Sequence, residues 1–116
     1  MFTDAQLQYL SSQILGRLAT VGPDGPQVRP VGFTVDTDAG VIEIGGHDLP
    51  DTRKWKNVRN DGRVAFVVDD LASTDPWRPR ALEVRGTAEA LAVAEGDDRD
   101  VIRIRPERVL SMGIDT

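Results

Sequence analysis

The sequence predicts a mainly β domain, a six-stranded antiparallel barrel carrying short helices. Three observations predict it. About six short runs alternate side chains with the period of two that a strand imposes. Turn residues separate these runs, with 11 Gly and 7 Pro among 116 residues. Only two places join a helix-capping residue to apolar side chains at helical spacing. Closing such strands on themselves removes the unpaired edges that an open sheet would leave.

The first element is a short helix. Thr3 and Gln6 form a capping box, Phe2 and Leu7 occupy the positions of a hydrophobic staple, and Leu7, Leu10 and Ile14 share one face. Gly16 is the expected stop. Leu18-Ala19-Thr20-Val21 reads as a strand, and Gly22-Pro23-Asp24-Gly25 as the turn after it. The next strand, 27–35, places Val31, Phe33 and Val35 on one face and Val28, Pro30, Gly32 and Thr34 on the other. That second face is small and flat, and Pro30 with Gly32 marks an edge, a bulge or a surface against which a ligand lies. Residues 36–40 form a hairpin loop, and a third strand, 41–45, runs into Gly45-Gly46-His47.

A second helix starts at Asp51 or Thr52 and runs to about Arg59, with Trp55 and Val58 facing inward. Residues 64–69 are almost continuously apolar, as in a strand buried on both faces. Residues 71–79 read as a polar loop that leaves Trp77 unhoused. Leu82, Val84, Gly86 and Ala88 alternate along the following strand, 95–100 is an acidic loop, and 101–104 is another strand. Pro106 interrupts the last pair before 109–114 closes the sheet. No repeat or linker divides the chain, so 1–116 reads as a single domain.

Composition excludes several function classes. Without cysteine there is no disulfide scaffold, thiolate metal site or cysteine nucleophile. A net charge of −5 disfavours nucleic-acid binding, which needs a basic surface. No apolar run approaches the roughly 20 residues that span a bilayer, and no targeting segment is evident, so a cytoplasmic protein without membrane association is expected. One histidine and no cysteine leave few ways to assemble a nucleophile with its base. Asp97, Asp98 and Asp100 lack ligand-like spacing and read as solvated, so no metal site is expected.

The local sign of charge reverses between 51 and 63. Arg53, Lys54, Lys56, Arg59 and Arg63 face only Asp51 and Asp61 there. Arg53 and Lys54 fall at a helix start, where backbone N–H groups and the helix dipole favour an anion and repel cations. A phosphate or carboxylate ligand resolves that mismatch; a solvated helix face is the alternative. Gly45, Gly46 and His47 lie just upstream, and the glycines permit close backbone approach. His47 is either a ligand contact or a surface residue. Trp77 either stacks on a planar ligand or packs in a subunit interface.

Leu18-Ala19-Thr20-Val21, residues 25–31 and Arg53-Lys54-Trp55-Lys56-Asn57-Val58 together resemble the pyridoxamine-phosphate-oxidase-like, FMN-binding split-barrel superfamily. Residues 64–70, 84–89 and 102–114 are similar to its small actinobacterial members, the PPOX-class deazaflavin-dependent oxidoreductases. The resemblance implies a homodimer with coenzyme F420, or alternatively FMN, at the subunit interface. It implies that Arg53 and Lys54 grip the cofactor phosphate with Asn57 nearby. Pro30, Val31, Gly32 and Phe33 would lie against the ring, Ile44, Gly45, Gly46 and His47 would support it, and Trp77, Arg78 and Arg80 would reach in from the partner. The implied activity is hydride transfer to an electron-poor C=C or C=N bond of a small organic substrate, a non-catalytic cofactor binder being the alternative. No catalytic side chain is assigned. The longer C-terminal part of true pyridoxamine phosphate oxidases has no counterpart here, so that specific activity is not expected.

Overall fold

The computed structural model describes residues 1–92 and 99–114. The order of elements is α1 (Asp4–Ser11), β1 (Leu15–Gly22), β2 (Gly25–Gly32), β3 (Thr34–Asp36), β4 (Val41–Ile44), a 3-10 turn (Leu49–Asp51), α2 (Arg53–Asn60), β5 (Arg63–Thr74), β6 (Trp77–Leu91) and β7 (Val101–Met112). The acidic loop expected at 95–100 lies largely outside the described residues.

All strand pairs are antiparallel, in the order β2-β1-β5-β6-β7-β4-β3. The sheet therefore has seven strands rather than the six expected: the run 27–35 is divided between its two edges, while 101–104 and most of 109–114 belong to one continuous strand, β7. β2 pairs with β1, the chain passes Phe33, and β3 pairs with β4. The two outermost strands are thus successive pieces of one segment, which closes the sheet into a split barrel. The first three strands do not form the simple meander that their turns suggest.

Alternation along the strands fills the barrel. Leu18, Ile42, Ile44, Phe66, Val68, Leu82, Val84, Ile102 and Ile104 are essentially without solvent exposure, and together they form one core. β5 does not have two buried faces: Val64, Phe66 and Val68 point inward while Ala65 and Val67 remain half-buried on the outer face. The apolar run reflects a second face that is hydrophobic but only partly covered within one chain.

Three further expectations are corrected. Residues 71–79 are not a loop, since β5 and β6 continue as a long hairpin in which Thr74 pairs with Trp77. Pro106 does not split β7, because it sits opposite Gly86 where the register shifts and Glu107 is bulged out. A side chain on Gly86 would lie 2.1 Å from the Arg105 carbonyl oxygen, so the bulge requires glycine there. Gly16 does not stop α1; it belongs to β1.

α1 begins as its capping box specifies, with both reciprocal bonds between Thr3 and Gln6 in place. Its inward face is Gln6, Tyr9 and Leu10 rather than one including Ile14, which is 81% exposed beyond the helix end. Tyr9 donates to Asp70 Oδ1 at 2.9 Å, Gln13 donates to Asp70 Oδ2 at 3.2 Å, and the Arg80 guanidinium grips both Asp70 oxygens. Arg80 also stacks on the Tyr9 ring, 5.1 Å from its centroid. The Arg80 hydrogen bond holds the Asp70 carboxyl below the ordinary carboxylate range against the opposing effect of burial. Burial first, and the Asp70 hydrogen bond next, push the Tyr9 hydroxyl well up.

A depressed folded-state pKa means that the Asp70 tie contributes stability above the unfolded carboxylate pKa and loses it as pH falls through the folded value. Acidification below pH ~3.9 is therefore expected to loosen α1 from the barrel. Hydrogen exchange of the α1 amides reads this directly. Asp70→Asn should flatten that pH dependence, and an unchanged profile in the variant would assign the acid response to other carboxylates.

Candidate functional site

Thr52 caps α2 by accepting from the Trp55 amide at 3.4 Å, while its hydroxyl donates to the Leu49 carbonyl at 2.6 Å. This fixes the helix start, so Arg53 and Lys54 occupy its first turn, which holds no acidic residue. Trp55 and Val58 pack inward as their spacing predicts. Asn57 is also buried, at 2% exposure, and donates to Thr20 Oγ1 at 3.0 Å and to Gln27 Oε1 at 2.8 Å. Its carboxamide ties α2 to β1 and β2 at once.

The tie creates a cleft of about 370 Å³ lined by Leu18, Thr20, Gln27, Val28, Arg29, Arg53 and Lys54. Arg29 was not anticipated, because nothing in a sequence signals that a strand residue 24 positions away will face the helix start. Among the described residues, no carboxylate pairs with Arg29, Arg53 or Lys54, whereas Arg17, Arg63, Arg80, Arg85, Arg103 and Arg105 each have one. Arg29 on β2 thus faces two cations in the first turn of α2, and the positive end of the helix dipole adds to their field, an arrangement that favours an anion.

Asn57→Ala should cost about 2–3 kcal/mol, since two hydrogen bonds vanish and the buried Thr20 hydroxyl loses a partner. The denaturant midpoint measures it. A shift below about 0.5 kcal/mol would mean that water replaces the carboxamide without loss.

A larger cavity, about 740 Å³, opens farther along the β2–β3 segment, lined by Gly32, Phe33, Thr34, Glu43, Gly45, Gly46, Arg99, Asp100, Val101 and Arg103. Between the two spaces, Val28, Pro30 and Gly32 expose the flat face expected of this strand. Val28 lines the smaller cleft and Gly32 the larger cavity, and the two lie four residues apart on the same face, roughly 13 Å along the strand. The Glu43 carboxylate and the Arg103 guanidinium pair across β4 and β7 at 2.8 Å on the cavity wall.

The structure brings Gly32, Phe33, Gly45 and Gly46 to the larger cavity, and Arg53 and Lys54 to the smaller cleft. Val31 and Ile44 point into the core, so only their backbones are available to a ligand. His47 is exposed, with Nε2 3.2 Å from Asp48 Oδ2, and lines neither space. Trp77 is 67% exposed near the tip of the β5–β6 hairpin beside exposed Arg78, while Arg80 is engaged by Asp70; within one chain these three line neither space. Among the described residues, no cluster of acidic or histidine side chains could hold a metal ion, and no helix is long and apolar enough to cross a membrane.

Comparison with known proteins decides the family. The model described as pyridoxamine 5'-phosphate oxidase matches residues 2–113. The chain belongs to the pyridoxamine 5'-phosphate oxidase family. A 5a,11a-dehydrotetracycline/5a,11a-dehydrooxytetracycline reductase of Streptomyces rimosus is 44% identical to this family member over 98% of the chain and 84% of the reductase. Family and relative together make the chain an oxidoreductase. A conserved hypothetical protein from Mycobacterium tuberculosis superposes with a TM-score of 0.79 at 23% identity, covering 97% of this chain and 86% of that one. An FAD-binding protein from Mesorhizobium loti superposes with a TM-score of 0.71 at 21% identity, covering 90% and 86%. These two likenesses establish the shared fold.

Proposed function

We propose that this oxidoreductase is a reductase that binds the deazaflavin coenzyme F420 and acts on an electron-poor double bond of a small organic substrate. When bound, the coenzyme supplies the hydride. The observation that carries this reading is the anion site: Arg29, Arg53 and Lys54 lie unneutralised at the start of α2 in a protein of net charge −5. Similarity to a reductase of dehydrotetracyclines supports a conjugated organic acceptor, and the FAD-binding neighbour supports a flavin-like ring.

Each residue then has a physical task. Arg53, Lys54 and Arg29 hold a phosphate, and the Asn57–Gln27–Thr20 bonds keep the cleft floor in place. Pro30 and Gly32 present a flat backbone surface to the ring, over inward-facing Val31. Phe33, Gly45 and Gly46 line the space beside it, where the absence of side chains on the glycines permits close approach. A second copy of the chain completes the site: outward Ala19, Val28, Ala65 and Val67 offer an apolar face, and Trp77 with Arg78 reaches across to the partner's ring.

Titration of the purified protein with coenzyme F420 and with FMN, read by fluorescence, tests the cofactor. Saturable deazaflavin binding is expected. Tight FMN binding without a deazaflavin response overturns the choice in favour of an FMN enzyme, which the FAD-binding neighbour makes the second reading. Turnover is read from coenzyme absorbance with a series of enones and quinones, and no acceleration with any of them would leave a binding protein rather than a reductase.

A further inference from the structure

The wall of the larger cavity carries one ion pair whose geometry leaves it half used. Arg103 donates to Glu43 through both Nε, at 3.0 Å, and Nη2, at 2.8 Å, and both bonds end on the same oxygen, Oε2. Among the described residues neither Glu43 Oε1 nor Arg103 Nη1 makes a hydrogen bond, although the Arg103 charge also acts on Glu89, its Cα partner on β6. Arg80, by contrast, spends its fork on both oxygens of Asp70.

The pair is also less exposed than the cross-strand pair Glu89–Arg105 and about as buried as Asp70–Arg80. The Glu43 and Arg103 side chains are 25% and 35% exposed, against 51% and 56% for Glu89 and Arg105. Glu43 and Arg103 are direct Cα partners on β4 and β7, so two ladders, not a mobile loop, fix their separation. An exposed cross-strand pair would contribute under about 1 kcal/mol to stability and nothing else. This one borders a cavity whose remaining wall combines Phe33, Val101 and glycine backbone with the polar Thr34, Arg99 and Asp100, and it places a carboxylate oxygen and a guanidinium N–H together at fixed separation.

We propose that the Glu43–Arg103 pair determines substrate specificity, selecting neutral organic molecules that carry a carboxamide or lactam beside an unsaturated ring system. Such a group places an N–H donor and a C=O acceptor on neighbouring atoms: the N–H donates to Glu43 Oε1, and the carbonyl accepts from Arg103 Nη1. A carboxylate ligand satisfies the arginine but meets the Glu43 charge. An ester or a dialkylated amide leaves Glu43 without a donor, and it is this unmatched polar group that gives discrimination. The assignment rests on the reductase reading, since it puts substrate in this cavity.

Binding without coenzyme tests it. The intrinsic emission of 2-naphthamide, N,N-dimethyl-2-naphthamide and 2-naphthoate is titrated with wild-type protein and with Glu43→Leu and Arg103→Met, after thermal unfolding confirms that each variant is folded. A second pair of variants exchanges the charges, Glu43→Arg with Arg103→Glu, and keeps donor and acceptor on the wall. Wild type should bind the primary amide at least about tenfold more tightly than either other probe. Each single variant should lose that preference, and the exchange should restore part of it. Equal affinity for the two amides, a preference for naphthoate, no binding of any probe, or a preference retained in Glu43→Leu would overturn the proposal. Coenzyme titration in parallel separates the two readings. Absent coenzyme binding by wild type overturns the proposed function, whereas coenzyme binding without amide discrimination overturns only the role of this pair.

Discussion

Replacing Arg53 and Lys54 together by alanine is expected to weaken coenzyme binding by at least ~100-fold and, at the same time, to make the ligand-free protein slightly more stable. Each charge-assisted hydrogen bond to a phosphate is worth about 1.5–3 kcal/mol, so loss of both cations removes more than the two decades claimed. The opposite sign for the empty protein follows from their place on α2. Cations in the first turn of a helix oppose its dipole, and removing each should return about 0.3–1 kcal/mol at low ionic strength. Arg53 is exposed and Lys54 only half-buried, so neither change opens a cavity. Thermal unfolding with and without coenzyme, at low and high salt, checks both signs. Unchanged affinity would move the phosphate elsewhere, and a destabilised empty protein would show that the two side chains hold the helix by packing. Arg29→Ala should reproduce the loss of affinity without the gain in stability, because it is not on the helix.

Phe66→Ala is expected to have the largest effect on the fold, about 3–5 kcal/mol, a substantial share of what a domain of this size has. Phe66 is without solvent exposure in β5, and its ring meets Phe33 edge-on with centroids 5.2 Å apart. It also lies over Gly16, where a side chain would come within 2.2 Å of the ring tip. One aromatic therefore fills the space that a glycine on β1 leaves and supports the residue that turns β2 into β3. The loss should appear in the denaturant midpoint with little change in slope. Because Phe33 lines the larger cavity, coenzyme affinity should fall as well, even in protein that remains folded. A cost under about 1.5 kcal/mol would show that the barrel collapses onto the vacated volume. Phe66→Ala with Gly16→Val tests that directly, since the added methyls occupy the same space.

How far the sequence could be read depended on whether a signal was local. The capping box at Thr3 and Gln6, the Thr52 cap, and the inward faces of α2 and of Val31, Phe33 and Val35 were all legible, since each needs only near neighbours in the chain. Ile14 misled because helical spacing continues past the point where the helix stops. Residues 71–79 misled because proline and tryptophan argue against regular structure locally, while pairing across the long β5–β6 hairpin outweighs that preference. The apolar run in β5 was read as doubly buried because a half-covered apolar face and a fully covered one have the same sequence.

For the site, the sequence alone determined that Arg53 and Lys54 stand at a helix start in an acidic protein, and that Pro30 and Gly32 leave a flat strand face. Both follow from caps and alternation, which act over a few residues. Only the tertiary structure decided that Arg29, Gln27 and Thr20 join those cations, because Asn57 bonds across three elements to gather them. Only it decided that Glu43 meets Arg103 across 60 residues of chain, as a cross-strand partner fixed by register. It also decided the topology, in which one strand is shared between both edges of the sheet. Turn signals specify where a chain reverses; which strand lies beside which is set by the closure that buries Phe66 and its neighbours.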